Sequence, residues 1–216
     1  MLPLAAEGAP FILAPAAAGI LAVAFGYWPV AVVLWLLSLA CVAFFRDPSR
    51  SSDAPGGAVL APADGKVLSI GPSPSPMCAI GLPMQISIFM SPANVHINRA
   101  PISGHVREAG ITRGRHFPAF QDKSSDANEH SFVVIDGADG TVAYKQIAGT
   151  IARRVVCTLE AGQDVTRGQR VGLIKFSSRV DLFLPAHASV QAAAGMRTRA
   201  GVSVIAVLKP KAGSPT

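Results

Sequence analysis

From Gly8 through Phe45 the chain carries no charged residue, and Phe11 to Phe45 is built of Ile, Leu, Val, Ala and Phe with Gly and Pro interspersed. A helical span of a bilayer core takes about 20 apolar residues, so this run exceeds one span. The cluster Gly26-Tyr27-Trp28-Pro29 lies in its middle and reads as an interfacial turn between two short hydrophobic pieces. The pattern predicts a membrane hairpin, with residues 1–48 as the hydrophobic segment. A cleaved secretory signal is the alternative, but no basic region precedes the apolar stretch, where Glu7 is the only early charge. Arg46 and Arg50 follow directly, and the positive-inside rule puts such flanks, and the domain after them, on the cytoplasmic side.

Past a Ser/Pro/Gly linker, Ser49 to Gly57, the pattern changes to short β-type runs. They are Ala58 to Leu60, Lys66 to Ile70, Met84 to Met90, Gly104 to Glu108, Ser131 to Asp136, Val142 to Ile147, Arg154 to Leu159, Arg170 to Lys175, Val180 to Leu184 and Val202 to Leu208. Turn signals such as Asp64-Gly65, Asp136-Gly137 and Asp139-Gly140 separate them. Helical periodicity is weak beyond Arg46. The expectation is a mainly β (α+β) domain over 58–216, a many-stranded barrel or sandwich. Arg115 to His130 has no clear period and reads as a long loop, a length associated with function.

Composition sharpens this picture. Half of the 216 residues are hydrophobic and 15% are charged, which excludes a disordered chain. All 19 Lys and Arg, against 12 of the 13 acids, lie beyond Phe45, so the domain following the apolar segment has a net charge of +7. Nucleic acid is one reason for such a charge, but the arginines are scattered and no basic helix or aromatic-interleaved strand accompanies them. Anionic headgroups fit better, each well-placed cation being worth about 1 kcal/mol. Cys41, Cys78 and Cys157 are odd in number and lack a Cys-x-x-Cys spacing, so neither zinc nor a disulfide framework is expected.

The segment Leu159 to Ile174, with Gly162, Gly168 and Gly172, resembles the hairpin of biotinyl and lipoyl carrier domains, without an attachment lysine of the Met-Lys-Met type. Several motifs then follow one another in order: Phe44-Phe45-Arg46-Asp47-Pro48, Ala61-Pro62-Ala63-Asp64-Gly65, Met90 to Gly104 with His96-Ile97-Asn98-Arg99 inside it, Asn128-Glu129-His130-Ser131, Gln146-Ile147-Ala148-Gly149 with Ala152-Arg153-Arg154, and Ile174 to Asp181. In this order the chain resembles the phosphatidylserine decarboxylases over nearly its whole length, in particular their short bacterial proenzyme.

The resemblance implies a pyruvoyl-dependent lyase acting on a phospholipid at the membrane. Loss of carbon dioxide from an amino acid leaves a carbanion that needs an electron sink; in this family a Schiff base to a pyruvoyl group, made from an internal serine by self-cleavage, supplies it. Alignment implies Ser178 as the precursor of that group, a β chain 1–177 and an α chain 178–216 held as a heterodimer. Asp64 is implied as the base for self-cleavage, and His96 as the group near the substrate that serves decarboxylation or protonation of the carbanion. Where longer members carry a second histidine stands Arg99, which cannot act as a base at neutral pH and is expected to bind the lipid phosphate or carboxylate. The usual Gly of the cleavage motif is Ser177 here; its Cβ restricts the backbone where the acyl shift occurs, so cleavage is slowed, shifted to Ser177 or lost. Gly213-Ser214 is a decoy, since a cut there frees only three residues.

Two other readings stay open at the level of sequence. One is a membrane-anchored lipoyl-like adaptor, which keeps an intact chain; the other is a family member that no longer cleaves itself. A homo-oligomer is compatible with either.

Overall fold

The computed structural model describes residues 3–114, 128–149, 154–175 and 178–209. The chain divides into two compact units, Met1–Ser49 and Arg50–Thr216.

In the first unit a short turn of 3₁₀ helix, Ala6–Gly8, leads into α1 (Ala9–Ala24), and α2 (Trp28–Phe44) follows. The chain reverses at Gly26, whose φ of +81° only glycine adopts without strain, and Pro29 opens α2 where its missing N–H costs nothing. The helices pack antiparallel. A Cβ on Gly19 would sit 2.4 Å from the Trp35 indole nitrogen, so the glycine makes room for that ring. The Ser38 hydroxyl donates to the Ile12 carbonyl at 2.8 Å, which satisfies a polar group on an otherwise apolar hairpin. Leu13, Ile20, Leu21, Phe25, Leu36 and Leu39 remain exposed, leaving the outside apolar as well, as membrane association requires. Ala6–Ala24 is long and apolar enough to cross a membrane, and Trp28–Phe44 is shorter.

The second unit holds β1 (Ala58–Leu60), β2 (Gly65–Pro72), the short helix α3 (Ser75–Ala79), β3 (Met84–Met90), β4 (Ile97–Arg99), β5 (Gly104–Thr112), β6 (His130–Gly137) and β7 (Gly140–Ala148). There follow β8 (Val155–Cys157), β9 (Asp164–Val165), β10 (Arg170–Ile174), β11 (Ser178–Leu184), β12 (Ala188–Val190), β13 (Arg197–Thr198) and β14 (Val204–Leu208). Eight strands form one antiparallel sheet in the order β13-β2-β3-β11-β7-β6-β5-β9, curled into a half-barrel. Two smaller sheets, β1-β14-β12 and β4-β10-β8, complete the architecture. The mainly β fold expected from the pattern is the fold observed.

The main core lies on one face of the eight-stranded sheet, where Val67, Ile86, Ile88, Tyr144, Val180 and Leu182 pack together. Strand β11 is buried along its whole length. Its other face places Phe183 against Leu82, Val134 and Ala143, so this central strand is covered on both sides.

Differences from the sequence reading are local. The strands β4, β9, β12 and β13 are two or three residues long, too short for an alternation to register. Strand β5 continues four residues beyond Glu108 because the pairing with β6 extends to Thr112, although its outer residues are exposed. Helix α3 forms in a proline-rich stretch that had no helical period. Of the expected loop Arg115 to His130, residues 115–127 lie outside the described residues, as do Arg153, Ser177 and Gly213-Ser214.

Candidate active site

Ser178 is the first residue of β11, paired to Met90 of β3 on one side and Ala148 of β7 on the other. It is fully buried, and its hydroxyl donates to the Met90 sulfur at 3.2 Å, a weak acceptor. Alternation along β11 puts this side chain on the core face and Arg179 on the opposite one. Around the sulfur runs a buried polar chain. Asn98 Nδ2 lies 3.8 Å from Met90 Sδ and 3.3 Å from the Pro62 carbonyl. Gln146 Nε2 donates to Asn98 Oδ1 at 2.8 Å, and Ser131 Oγ donates to Gln146 Oε1 at 2.6 Å. The Cys157 thiol reaches Ser131 and is pushed up from its ordinary pKa by burial, with hydrogen bonds from the Leu159 backbone and Ser131 pulling partly back. A chain of satisfied buried groups of this kind fixes side-chain positions, because any unpaired member carries the full desolvation cost.

Asp64 sits in the bend just before β2, buried at 8% exposure. Arg50 grips it at both oxygens, with Nη1 on Oδ1 and Nη2 2.8 Å from Oδ2. The Ala200 backbone N–H donates to Oδ1 at 2.7 Å. The next residue, Gly65, is held hard against β3: a Cβ there would lie 2.1 Å from the Phe89 carbonyl oxygen. Glycine is therefore required by close approach of backbones at the start of β2, where the Asp-Gly pair reads in the sequence as a turn. Strand β3 lies between β2 and β11, so the backbones of Asp64 and Ser178 are about 10 Å apart. The two side chains are not hydrogen-bonded to each other.

His96 is buried at 2% exposure just before β4, and its Nδ1 lies 2.9 Å from the Asn94 carbonyl. A ring that donates Nδ1–H to a carbonyl carries its lone pair on Nε2 when neutral. The His96 carbonyl in turn accepts from the Ile174 N–H at 3.3 Å, which ties the histidine to the end of β10, four residues before Ser178. Arg99 follows Asn98 on β4 but faces the other way. Its Nη1 donates to the Gly168 carbonyl at 3.0 Å, and its stem crosses Gly201, where a Cβ would come within 2.6 Å of Cδ.

The fold thus gathers Ser178, Met90, Asn98 and the His96 segment at one end of the β3–β11–β4 region, and leaves Asp64 one strand further on. Sequence reading missed Arg50 as the partner of Asp64, since an arginine after an apolar run reads first as a topology signal. It also missed the pair Arg179 and Asp181, with Nε 2.5 Å from Oδ1 and Nη2 2.9 Å from Ser87 Oγ, both residues being buried. Their spacing of two on a strand was the available signal, because it places both on one face.

Comparisons with known proteins place the chain in a family. A family model described as phosphatidylserine decarboxylase matches residues 37–206. A phosphatidylserine decarboxylase proenzyme of Magnetococcus marinus is 43% identical over 186 residues, covering 86% of this chain and 85% of its own. Proenzymes of Citrifermentans bemidjiense and Paraburkholderia xenovorans are 40% and 39% identical, each covering 95% of this chain and 97% of its own. With the motif order, the mainly β fold and this extent of similarity on the page, the chain belongs to the phosphatidylserine decarboxylase family.

Proposed function

We propose that this chain is the precursor of a membrane-associated carboxy-lyase that converts phosphatidylserine to phosphatidylethanolamine with a pyruvoyl group derived from Ser178. The observation that carries the reading is the position of Ser178: the first residue of a fully buried strand clamped between β3 and β7, within the Ser178-Arg179-Val180-Asp181 motif.

That position suits self-cleavage. The Ser178 oxygen attacks the carbonyl carbon of residue 177, the C–N bond breaks, and an ester replaces the amide. Loss of the Ser178 Cα proton then breaks the Cβ–O bond, releasing residue 177 as a carboxylate and leaving a dehydroalanine. Water enters, ammonia departs, and a ketone remains. The α chain stays in place because β11 is paired from Ser178 to Leu184 with β3 and to Phe183 with β7, so the two pieces form a heterodimer. Burial on the core face fits a ketone that must be kept from bulk water.

Asp64 is the base for the attack in this proposal. With β3 between their strands, the proposal has a water or a hydroxyl relay the proton from serine to aspartate, as general-base catalysis allows. Arg50 and the Ala200 N–H set the orientation of the carboxylate. The pyruvoyl group, when formed, supplies the electron sink for the carbanion left by carbon dioxide. His96 supplies or accepts the proton at that carbon, its ring oriented by the Asn94 carbonyl at Nδ1. Arg99 is retained in this proposal as an anion contact, its Nη1 held by the Gly168 carbonyl and its charge permanent at neutral pH.

The α1–α2 hairpin anchors the enzyme in the membrane, with the catalytic unit on the cytoplasmic side. That sidedness rests on Arg46, because Arg50 is committed to Asp64. The test is carbon dioxide release from carboxyl-labelled phosphatidylserine, before and after sodium borohydride, which reduces a ketone. Release that borohydride abolishes is expected. No release would overturn the assignment and favour the adaptor or the non-cleaving relative, and release indifferent to borohydride would overturn the pyruvoyl group.

A further inference from the structure

Beside Asp64 opens a cavity of about 740 Å³, within the range of ligand pockets, lined among others by Lys66, Phe89, Asn94, Arg197 and Arg199. The three cations come from β2, from β13 and from the residue after β13. Lys66 and Arg197 are direct cross-strand partners, and like charges opposite each other on an antiparallel pair destabilise a sheet. None of the three side chains makes a hydrogen bond or ion pair among the described residues. Among the described lining residues Asp64 is the one acid, and Arg50 already balances it. The described lining therefore carries three positive charges beyond the Asp64–Arg50 pair.

Its other walls add specificity. The Asn94 side-chain carbonyl accepts from the Ser91 N–H at 2.9 Å and the Ser91 hydroxyl at 2.8 Å, which leaves the amide N–H₂ end to donate. Phe89 contributes an apolar wall. The Asn94 backbone carbonyl is also the acceptor for His96 Nδ1, so the cavity and the histidine share one turn.

We propose that this cavity seats the phosphodiester of a phospholipid headgroup, with Lys66, Arg197 and Arg199 as its cationic contacts and Asn94 as a donor. The proposal rests on the decarboxylase reading and names the part of the enzyme that captures the lipid. A phosphodiester brings the charge that the Lys66–Arg197 opposition lacks. The apolar wall suits an ester that continues into a glycerol backbone better than a bare inorganic anion.

The test uses the full-length protein carrying Lys66→Gln, Arg197→Gln and Arg199→Gln together, assayed on phosphatidylserine in phosphatidylcholine vesicles. Lys209→Gln, exposed at the end of β14 and outside the cavity, controls for net charge. The expected result is complete self-cleavage by intact mass, KM raised by at least about tenfold, kcat within about twofold, and a shallower salt dependence of KM. An unchanged KM, or an equal rise in the control, would overturn the proposal. Inorganic phosphate compared with chloride at equal ionic strength separates the sources. Phosphate binding beyond chloride that is lost in the triple variant but leaves the KM for lipid unmoved would assign the cavity to free phosphate instead. Should the triple variant fail to accumulate, Arg197→Gln alone serves. Relief of the like-charge opposition raises or preserves its Tm while KM rises, a pair of effects that structural damage does not produce; a lowered Tm with unchanged KM would count against the site. Failure of the underlying reading looks different, as a wild-type chain that neither cleaves nor releases carbon dioxide.

Discussion

Arg50 binds Asp64 through both guanidinium nitrogens, and the Arg50 Nη1 that meets Oδ1 also donates to the Ala200 carbonyl at 2.9 Å. The side chains are each 11% exposed, so solvent screens the pair weakly. Removing one partner of such a pair costs about 3 kcal/mol, mostly from the charge left behind. Asp64→Asn is expected to block or strongly slow self-cleavage and to lower Tm. Arg50→Gln should lower Tm similarly and slow cleavage less, while Arg50→Lys keeps the charge without the two-point geometry and falls between. Pulse-chase cleavage with thermal melts on the same preparations checks the order. Wild-type cleavage in Asp64→Asn would reduce the carboxylate to a turn residue.

His96 Nδ1 meets the carbonyl of Asn94 in its own turn, and its role in the proposal is in decarboxylation, so its removal should spare the cleavage chemistry. His96→Ala is predicted to cleave close to normally and to lose carbon dioxide release by about 10² or more, the usual scale for a lost acid–base group. The pair of measurements is fragment mass and labelled carbon dioxide on one sample. Loss of cleavage with retained folding would move His96 into the maturation step.

Gly65 tests the placement of Asp64 without touching its carboxylate. Its Cβ would meet the Phe89 carbonyl at 2.1 Å, and backbone cannot swing aside as a side-chain tip does. Gly65→Ala should cost about 1–3 kcal/mol and slow cleavage along with it, because β2 must move away from β3. Normal melting and normal cleavage together would mean that the approach of the two strands is dispensable.

Tyr144 lies in the core with its hydroxyl lacking a partner among the described residues. Burial, and then the nearby Cys157, push its pKa well above the ordinary tyrosine range. A phenol whose folded pKa is raised keeps its full contribution to stability below the unfolded pKa and loses it as pH climbs toward the folded one, and Cys157 acts in the same sense. Stability should therefore decline above about pH 9. Tyr144→Phe should flatten part of that decline and leave neutral-pH stability equal or higher, since it deletes an unsatisfied buried group. Denaturant midpoints between neutral and alkaline pH give the comparison; an identical alkaline decline in the variant would contradict it.

The readability of this chain follows the length scale of each feature. The apolar hairpin, long strands such as β3 and β7, and the turn at Asp64-Gly65 were legible because each rests on local alternation, charge absence or glycine chemistry. The strands β4, β9, β12 and β13 were not, because two or three residues cannot display a period and exist through pairing with distant partners. At the site, Ser178, Asp64 and His96 came from the order of motifs. Their mutual placement did not: that β3 separates Asp64 from Ser178, that Arg50 closes on Asp64 across 14 residues of sequence, and that Asn98 and Gln146 meet across 48 are all consequences of sheet order. The Lys66–Arg197 opposition was hidden for the same reason.

The account stands most directly on a covalent fact, and an intact mass spectrum of the purified full-length protein reads it. The account predicts two masses, residues 1–177 and residues 178–216 with the N-terminal serine converted to a pyruvoyl group. Together they differ from the precursor by one water gained and one ammonia lost. A break before Ser177 would move the group by one residue. A single full-length mass, from protein that is folded and given time to mature, would contradict the account.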